Sequence, residues 1–374
     1  MKPIVMGGGV IGTSIAAQLA EAGGEVTLIT SGRLGDGASG RSLAWLNSFW
    51  SIEPAYQRIR TLGIDRYRSL AARREDAADH LAFDGGLTWA PVGDRGHRAH
   101  FPELRDTGYA VEWLAPDQVS TVTPGVDPAA INPDGAAWAP GEGWVDLPWL
   151  IRLLADRLVA AGGEILTGRG RCRPIITQGR VIGVQTAAGD RHDADVVVIA
   201  TGPSGPGMLA QLGVTVPDAT PAAALVMTGP VEHRLRAVLN TPRVAIRPAP
   251  GGRLAMDSAW SEEAVTIDEQ GTASVTDDVV RGLLAEGSAV LEGHPVLRAA
   301  SVGVGLKPVP GGDGQSIVGA VPGVDGAHVV FTHSGATLGL ILGELLAGQI
   351  LDDRVHPLLA PFGVDRYVGV EAAS

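Results

Sequence analysis

The hydrophobic pattern opens with a short apolar run, Pro3-Ile-Val-Met6, is interrupted by Gly7-Gly-Gly9, and resumes at once with helical spacing from Ile11 to Leu19. This predicts a strand, a tight turn and a helix. A second strand is expected over residues 25–30, after Ala22-Gly23-Gly24, which makes the opening a β-α-β unit. A glycine-rich polar stretch follows at 31–40, then Arg41-Ser-Leu-Ala-Trp-Leu-Asn-Ser48, a loop of small residues that could lie against a flat ligand. Helical spacing predicts a largely helical segment over 54–78, weakened by Gly63. The turn near Asp84-Gly-Gly86 feeds a short strand, and from 91 to 140 no period holds. Pro102, Pro116 and Pro124 are expected to mark breaks there.

Periodicity returns with a helix over 149–161, ended by Gly162-Gly163, and strands at 164–167 and 180–186. The run at 195–202 is nearly continuous in β-branched residues, as a strand buried on both faces would be. It returns the chain to the opening core after a long detour, so two domains are expected to interleave. Strands at 222–227, 243–248 and 253–260, the last two joined by Pro250-Gly-Gly252, predict an antiparallel sheet as the main element of the second domain. A helix over 275–291 would turn Val279, Leu283 and Leu284 inward. The last crossing carries a strand at 328–332 and a helix from Gly335, a second strand-to-helix junction with backbone N–H groups at its start. The expected division is 1–48, 136–215 and 301–374 for the first domain, and 49–135 and 216–300 for the second. The fold class is α/β, a Rossmann-like domain interleaved with an α+β domain.

Chemistry narrows this picture. Gly7-x-Gly9-x-x-Gly12 between a strand and a helix is a dinucleotide fingerprint: a turn, a close backbone approach to phosphate, and close helix–sheet packing. A net charge of −12 over 374 residues argues against nucleic acid as a partner. Cys172 is the one cysteine, which excludes an internal disulfide and a thiolate metal site, and no metal is expected. No run is judged to approach the roughly 18 apolar residues of a membrane helix, so a cytoplasmic protein without membrane insertion is expected. His97 and His100 are expected at the surface, and Glu262-Glu263 and Asp277-Asp278 as solvated or helix-start charges. His333 stands apart at a strand end. With no nucleophile elbow, zinc helix or P-loop, a cofactor is the expected source of reactivity.

Five segments recur in order: Gly7-Gly-Gly-Val-Ile-Gly12, Ala38-Ser-Gly-Arg-Ser-Leu-Ala-Trp-Leu-Asn47, Ala194-Asp-Val-Val-Val-Ile-Ala-Thr-Gly202, Gly305-Leu-Lys-Pro-Val-Pro310 and Thr332-His-Ser-Gly-Ala-Thr-Leu-Gly339. Together they resemble the D-amino-acid oxidase and glycine oxidase family of flavoproteins, which includes sarcosine oxidases and D-amino-acid dehydrogenases. The resemblance implies a glycine oxidase-like fold with FAD across the first domain and its isoalloxazine beneath the sheet of the second. It implies that Gly7, Gly9, Val10, Ile11 and Gly12 hold the pyrophosphate, that Ser39, Gly40, Arg41 and Ser42 extend the cradle, and that Ala44, Trp45 and Leu46 reach the ring. Cys172 and Arg173 match the adenine-side segment, with Ala200, Thr201 and Gly202 beside it. Ser334, Gly335, Ala336, Thr337 and Leu338 would offer backbone donors near the end of the ring that gains charge on reduction. Lys307, His333 and Trp45 are the implied catalytic candidates.

Two departures from the family pattern qualify this. Thr30 and Ser31 stand where an acidic residue usually accepts the adenine ribose hydroxyls, and Arg33 beside them leaves an NADP reading open on the fingerprint alone. Lys307 stands where the pattern has a carboxylate-clamping arginine, a point charge in place of a planar fork. No cysteine lies in the C-terminal third, so the flavin is expected to be non-covalent, while a histidyl attachment remains open. The implied reaction is oxidation of a C–N bond in an amine or amino/imino acid to an imine, with electrons passing to oxygen or a quinone or protein acceptor. Oxidation of a 2-hydroxy acid and an FAD-bound, catalytically silent subunit are the alternatives. Oligomeric state is not legible.

Overall fold

The computed structural model, described over residues 1–367, divides into two compact units. Residues 1–40, 147–221 and those from 306 onward form the first, and 41–146 with 222–305 form the second. Residues 41–48 and 136–146, expected in the first domain, fall in the second unit. The reason is local pairing: Trp45 and Leu46 lie antiparallel to Gly143 and Trp144, and the same strand takes Leu81 and Ala82 on its other edge. Residues 301–305 also join the second unit, because the strand Ala299–Leu306 pairs with Ala222–Thr228.

In the first unit β1 (Pro3–Met6) leads into α1 (Val10–Glu21) and β2 (Thr27–Ile29). Then come α2 (Leu147–Ala160), β3 (Glu164–Leu166), β4 (Val196–Ile199), β5 (Ile317–Ala320), β6 (Ala327–Phe331) and α3 (Gly335–Asp352). The sheet order is β5-β6-β4-β1-β2-β3, parallel except for β5. All four residues of β4 are buried, as its unbroken β-branched run predicts. α1 packs against both α2 and α3. By length and composition α3 could cross a membrane, with mean hydropathy 1.3, which corrects the expectation that no segment would qualify. Here 67% of it is buried inside the protein, so its apolar surface serves the core. A Cβ at Gly343 would overlap the Ser14 side chain, so the two helices touch nearly backbone to side chain at that point.

The second unit is built on an eight-stranded sheet. Its order is Ala299–Leu306, Ala222–Thr228, Arg253–Asp257, Ala245–Ala249, Val238–Asn240, Gly86–Thr88, Ala136–Ala139 and Glu112–Leu114. Most ladders are antiparallel, but Val238–Asn240 runs parallel to Gly86–Thr88, so the sheet is mixed at one seam. Leu87, Leu239, Ile246, Met256 and Leu283 fill its core. Leu283 is 1% exposed on the helix Asp277–Ala289, with Val279 and Leu284 half-buried beside it.

The helix expected over 54–78 ends at Ala71, and Glu75–Asp79 form a separate 3₁₀ turn. Gly63 does not break it and is buried within the helix. Pro102 does not mark a break either: it lies inside the helix Gly96–Asp106. A proline deprives only the carbonyl four residues earlier of its partner, here that of Arg98, and Arg98 and Pro102 are both exposed. Water can take the place of that one bond.

Candidate functional site

At the turn between β1 and α1 the three fingerprint glycines have different roles. Gly7 has φ +120, donates its N–H to Ile29 O at 2.8 Å, and could not carry a Cβ without overlapping the Ala200 carbonyl. A Cβ at Gly12 would overlap Gly7 O. Both therefore serve close backbone packing. Gly9 differs, because a Cβ there would meet only Ser39 Oγ, at 3.0 Å, and is otherwise unobstructed. The Val10 N–H donates to Ser39 Oγ at 3.1 Å, so the 31–40 loop is tied to the helix start, and Gly35 N–H anchors it to Gly8 O at 2.8 Å. The next amides of α1, those of Ile11 and Gly12, have no partner within a helix at this position. An open glycine edge, helix-start amides and a serine hydroxyl form a cradle with the chemistry of a pyrophosphate site, so the residues fit the expected cofactor.

The structure brings the ribose- and adenine-side candidates together. Thr30 N–H donates to Leu166 O at 2.9 Å, and Thr30 O and Ser31 O accept from the amides of Arg169 and Gly170 at 3.1 and 3.2 Å. Thr30 is buried, its side chain packed against Gly8, and Ser31 is exposed. Arg33 is matched by its neighbour Asp36, which accepts from the Arg33 backbone at 2.8 Å and from Nε at 3.3 Å. That local pairing leaves the guanidinium partly committed, which weakens the NADP reading. Cys172 is buried in the core with its thiol pushed up by burial, and is a packing residue, while Arg173 reaches out to Gln185. Ala200 continues β4 through its N–H to Met6 O, 2.9 Å away, and its carbonyl faces Gly7. Thr201 donates to Met208 Sδ at 3.6 Å, and Gly202 turns the chain with φ +56.

α3 begins beside α1, and a Cβ at Gly335 would sit 4.0 Å from the side chains of Val10 and Ile11. Ser316 and Thr332 hydroxyls pair at 2.7 Å, and Thr332 Oγ1 accepts from Ser334 N–H at 3.2 Å, which fixes the helix entry. Leu338 N–H is already spent on Ser334 O at 2.9 Å, so the expectation of a backbone donor at Leu338 is corrected. Gly335, Ala336 and Thr337 open the first turn of α3. His333 is exposed just before that turn. Lys307 is half-buried and its N–H donates to Pro221 O at 2.9 Å, continuing the pairing that precedes it.

In the second unit Arg41 lies along Gly303 and Gly305, where any side chain would collide with it. Ser42 Oγ accepts the Ala44 N–H at 3.0 Å, and Ala44 has φ +54, a left-handed conformation unusual for a residue with a Cβ. Three further hold points fix it: Val145 N–H donates to Ala44 O at 3.2 Å, Arg247 Nε donates to Leu43 O, and Trp45 pairs with Trp144. Leu46 is fully buried, so its side chain fills the core while the alternate residue Trp45 is the half-buried one.

Sequence reasoning missed three buried charges in this unit, Arg60, Glu142 and Arg247; the first is held by the Asn47 carbonyl at 2.7 Å. Glu142 accepts from Tyr109 Oη at 2.6 Å and from Ser48 N–H at 3.3 Å, with the Trp45 indole beside its second oxygen. Burial pushes its pKa up to about 7, only partly offset by Tyr109, Ser48, Arg60 and Trp45. Arg247, on the strand Ala245–Ala249, is 3% exposed and lies 5.1 Å over the Trp144 ring. Burial lowers its pKa to about 10, against the opposing fields of Asp146 and Asp257. The signals were faint: one acid between glycines, and one cation in Val-Ala-Ile-Arg-Pro. His97 and His100, expected at the surface, instead pack half-buried on Trp50 and Phe49, and His100 Nε2 lies 3.1 Å from Phe49 O. Among the described residues no cluster of His, Cys, Asp or Glu could hold a metal ion.

Comparison with known proteins agrees with this frame. The chain is 24% identical to a glycine oxidase of Geobacillus kaustophilus over 98% of its length and 97% of the relative's, and 26% identical to a glycine oxidase of Pseudomonas aeruginosa over 93% and 95%. The crystal structure of the Geobacillus kaustophilus glycine oxidase superposes with a TM-score of 0.81 at 22% identity, covering 98% of this chain and 99% of that one. Residues 3–349 match the DAO family, described as FAD dependent oxidoreductase. The protein belongs to that family, and is an FAD-dependent oxidoreductase with a Rossmann-like fold interleaved with a sheet domain.

Proposed function

We propose that this enzyme oxidises a C–N bond in an amino or imino acid, giving an imine that water can hydrolyse. The observation that supports this reading best is the pair of helix starts, α1 at Val10 and α3 at Gly335, side by side in one unit. Bound FAD would supply the hydride acceptor. Gly9, Ser39 and the first amides of α1 would hold its pyrophosphate, and Thr30 with Ser31 its ribose. The first turn of α3 would place positive helix-end potential near the part of the ring that becomes anionic on reduction. His333 and Lys307 would line the approach of the donor. The relatives named glycine oxidase favour nitrogen over oxygen at the donor carbon, and oxygen or a quinone or protein would take the electrons.

An anaerobic screen tests the donor class. Purified enzyme is mixed with D- and L-amino acids, N-methyl amino acids, cyclic imino acids and 2-hydroxy acids, and bleaching of the yellow flavin band is followed. Bleaching by an amino or imino acid, with release of ammonia or an amine, is expected. Bleaching by 2-hydroxy acids alone, with a ketone as product, would overturn the proposal.

Lys307 is the proposed electrostatic anchor. Lys307→Met is expected to weaken anaerobic flavin reduction by the best donor roughly thirtyfold, equivalent to about 2 kcal/mol for a lost charge-assisted bond. Reoxidation of pre-reduced enzyme by oxygen should be nearly unchanged. Slower reoxidation with normal reduction would move Lys307 to the oxygen side of the cycle.

A further inference from the structure

We propose that Trp50, His97 and His100 form an acid-sensitive latch, closed at neutral pH and released on acidification, which fastens residues 47–53 to the helix Gly96–Asp106. The whole device lies within the second unit and does not depend on the identity of the donor.

The two segments meet over little apolar surface. Of the helix only Leu104 is buried, and it packs with Phe49 and Ala137 in a small cluster apart from the main core of the unit. Across the seam Trp50 lies nearly flat on His100, with ring centres 5.6 Å apart and planes 17° from parallel, and leans on His97 at 4.7 Å and 60°. His100 Nε2 lies 3.1 Å from the Phe49 carbonyl oxygen. Trp50 is itself 45% exposed, so its ring is kept in place by the two imidazoles more than by burial. An element with so few buried contacts opens locally at a lower cost than the sheet beneath it.

Protonation of His97 works against this packing. Its Nδ1 is buried with no hydrogen-bond partner among the described residues, so the charged ring, in which both nitrogens donate, has an N–H facing no acceptor. Burial holds the His97 pKa below the ordinary 6.5; the field of Asp94 opposes this and that of His100 adds to it. Phe49 and Trp50 face the ring without charge, and Glu53 of their segment is spent on the amides of Ala55 and Tyr56. On the helix, Glu103 lies 3.7 Å from His100 Nδ1 and Arg98 is turned to Trp113. The cation–π attraction that a charged ring would gain is weak on an indole so open to water. The fold therefore favours the neutral imidazole: its contribution is present above about 6.5 and is lost as pH falls through the lower, folded value. Glu142, which accepts the Ser48 N–H in the same segment, titrates in the opposite sense, since the fold holds its proton more firmly, so opening by acid cannot come from it.

Hydrogen–deuterium exchange on the FAD-loaded enzyme tests this, read in peptides covering 47–53 and 96–106 at about pH 7.5 and about pH 5, each corrected for the intrinsic pH dependence of exchange. Wild type is expected to lose protection in both segments together, by roughly tenfold, at the lower pH, while the strand Ala245–Ala249 keeps its own. His97→Phe keeps a ring against Trp50 that takes no proton, and should be equally protected at both pH values. His97→Gln, smaller and also uncharged, guards against overpacking by Phe and should likewise show no acid step. Equal protection of the wild type at the two pH values would overturn the proposal, as would an undiminished acid step in both His97 variants. Loss of protection in both variants already at neutral pH would make the imidazole a structural prop and sink the switch. Parallel loss in the strand Ala245–Ala249 of the wild type would do the same, since the unit would then be unfolding as a whole.

Discussion

Gly9→Leu is expected to yield a folded protein that purifies colourless, with FAD affinity reduced by about a thousandfold or more, roughly 4 kcal/mol. The glycine's Cβ direction is obstructed only by Ser39 Oγ at 3.0 Å, so the chain can accept the side chain with a small shift of one hydroxyl. What it cannot then accept is a phosphate at the same edge of α1. Gly12→Ala should behave in the opposite way. Its Cβ would overlap the Gly7 carbonyl, backbone that is itself pinned by Ile29 and Ala200, and the expected result is insoluble or unfolded protein, with or without FAD. Circular dichroism and flavin-to-protein absorbance on the two variants separate these effects. A yellow Gly9→Leu protein with near-native affinity would show that the cradle is elsewhere.

The largest pH effect should come from Glu142. An ordinary glutamate titrates near 4.5, whereas burial raises this one to about 7. Between those values the folded chain binds more protons than the unfolded chain, so stability falls as pH rises. The contribution is fully present below 4.5 and lost once pH passes about 7. The total is about 3 kcal/mol, from the free energy of one pKa unit. Glu142→Gln cannot ionise and should lack this component. In urea titrations the stability difference, wild type minus variant, should therefore shrink by about that amount between pH 5 and pH 8. The other titrating groups cancel in the subtraction. A difference that stays constant with pH would mean that Tyr109, Ser48 and Trp45 already hold the carboxylate ionised at low pH.

These two residues also mark where the sequence was readable. Gly9 is legible because its function is the absence of a side chain, within a local pattern of strand, turn and helix. The same holds for β4, whose unbroken apolar run needs no partner to be recognised, and for the entry to α3. Glu142 and Arg247 are different. Their burial is created by Tyr109, Ser48, Trp144 and Leu43, which are distant in sequence and together only in the fold. A charge in a short apolar run is equally compatible with an exposed strand edge. Pairing also decided the fate of residues 41–48, whose composition suits the nucleotide loop before them while their hydrogen bonds run to residues 143–145. Pro102 misled because the rule against helix prolines weakens when the orphaned carbonyl faces water.

The contact between Ser14 and Gly343 ties α1 to α3. During synthesis α2 can cover one side of α1 first, yet the side that α3 covers waits for more than three hundred further residues. Local turns can form meanwhile, but the closing contact is of long sequence separation, and such contacts are slow to find. A nascent chain must therefore carry a partly uncovered apolar helix until α3 is made, a condition under which chaperones engage. The cradle at Gly9 shares this timing, since its helix is not seated until α3 arrives. Flavin uptake thus follows the synthesis of α3, and a product truncated before residue 335 would lack a seated α1.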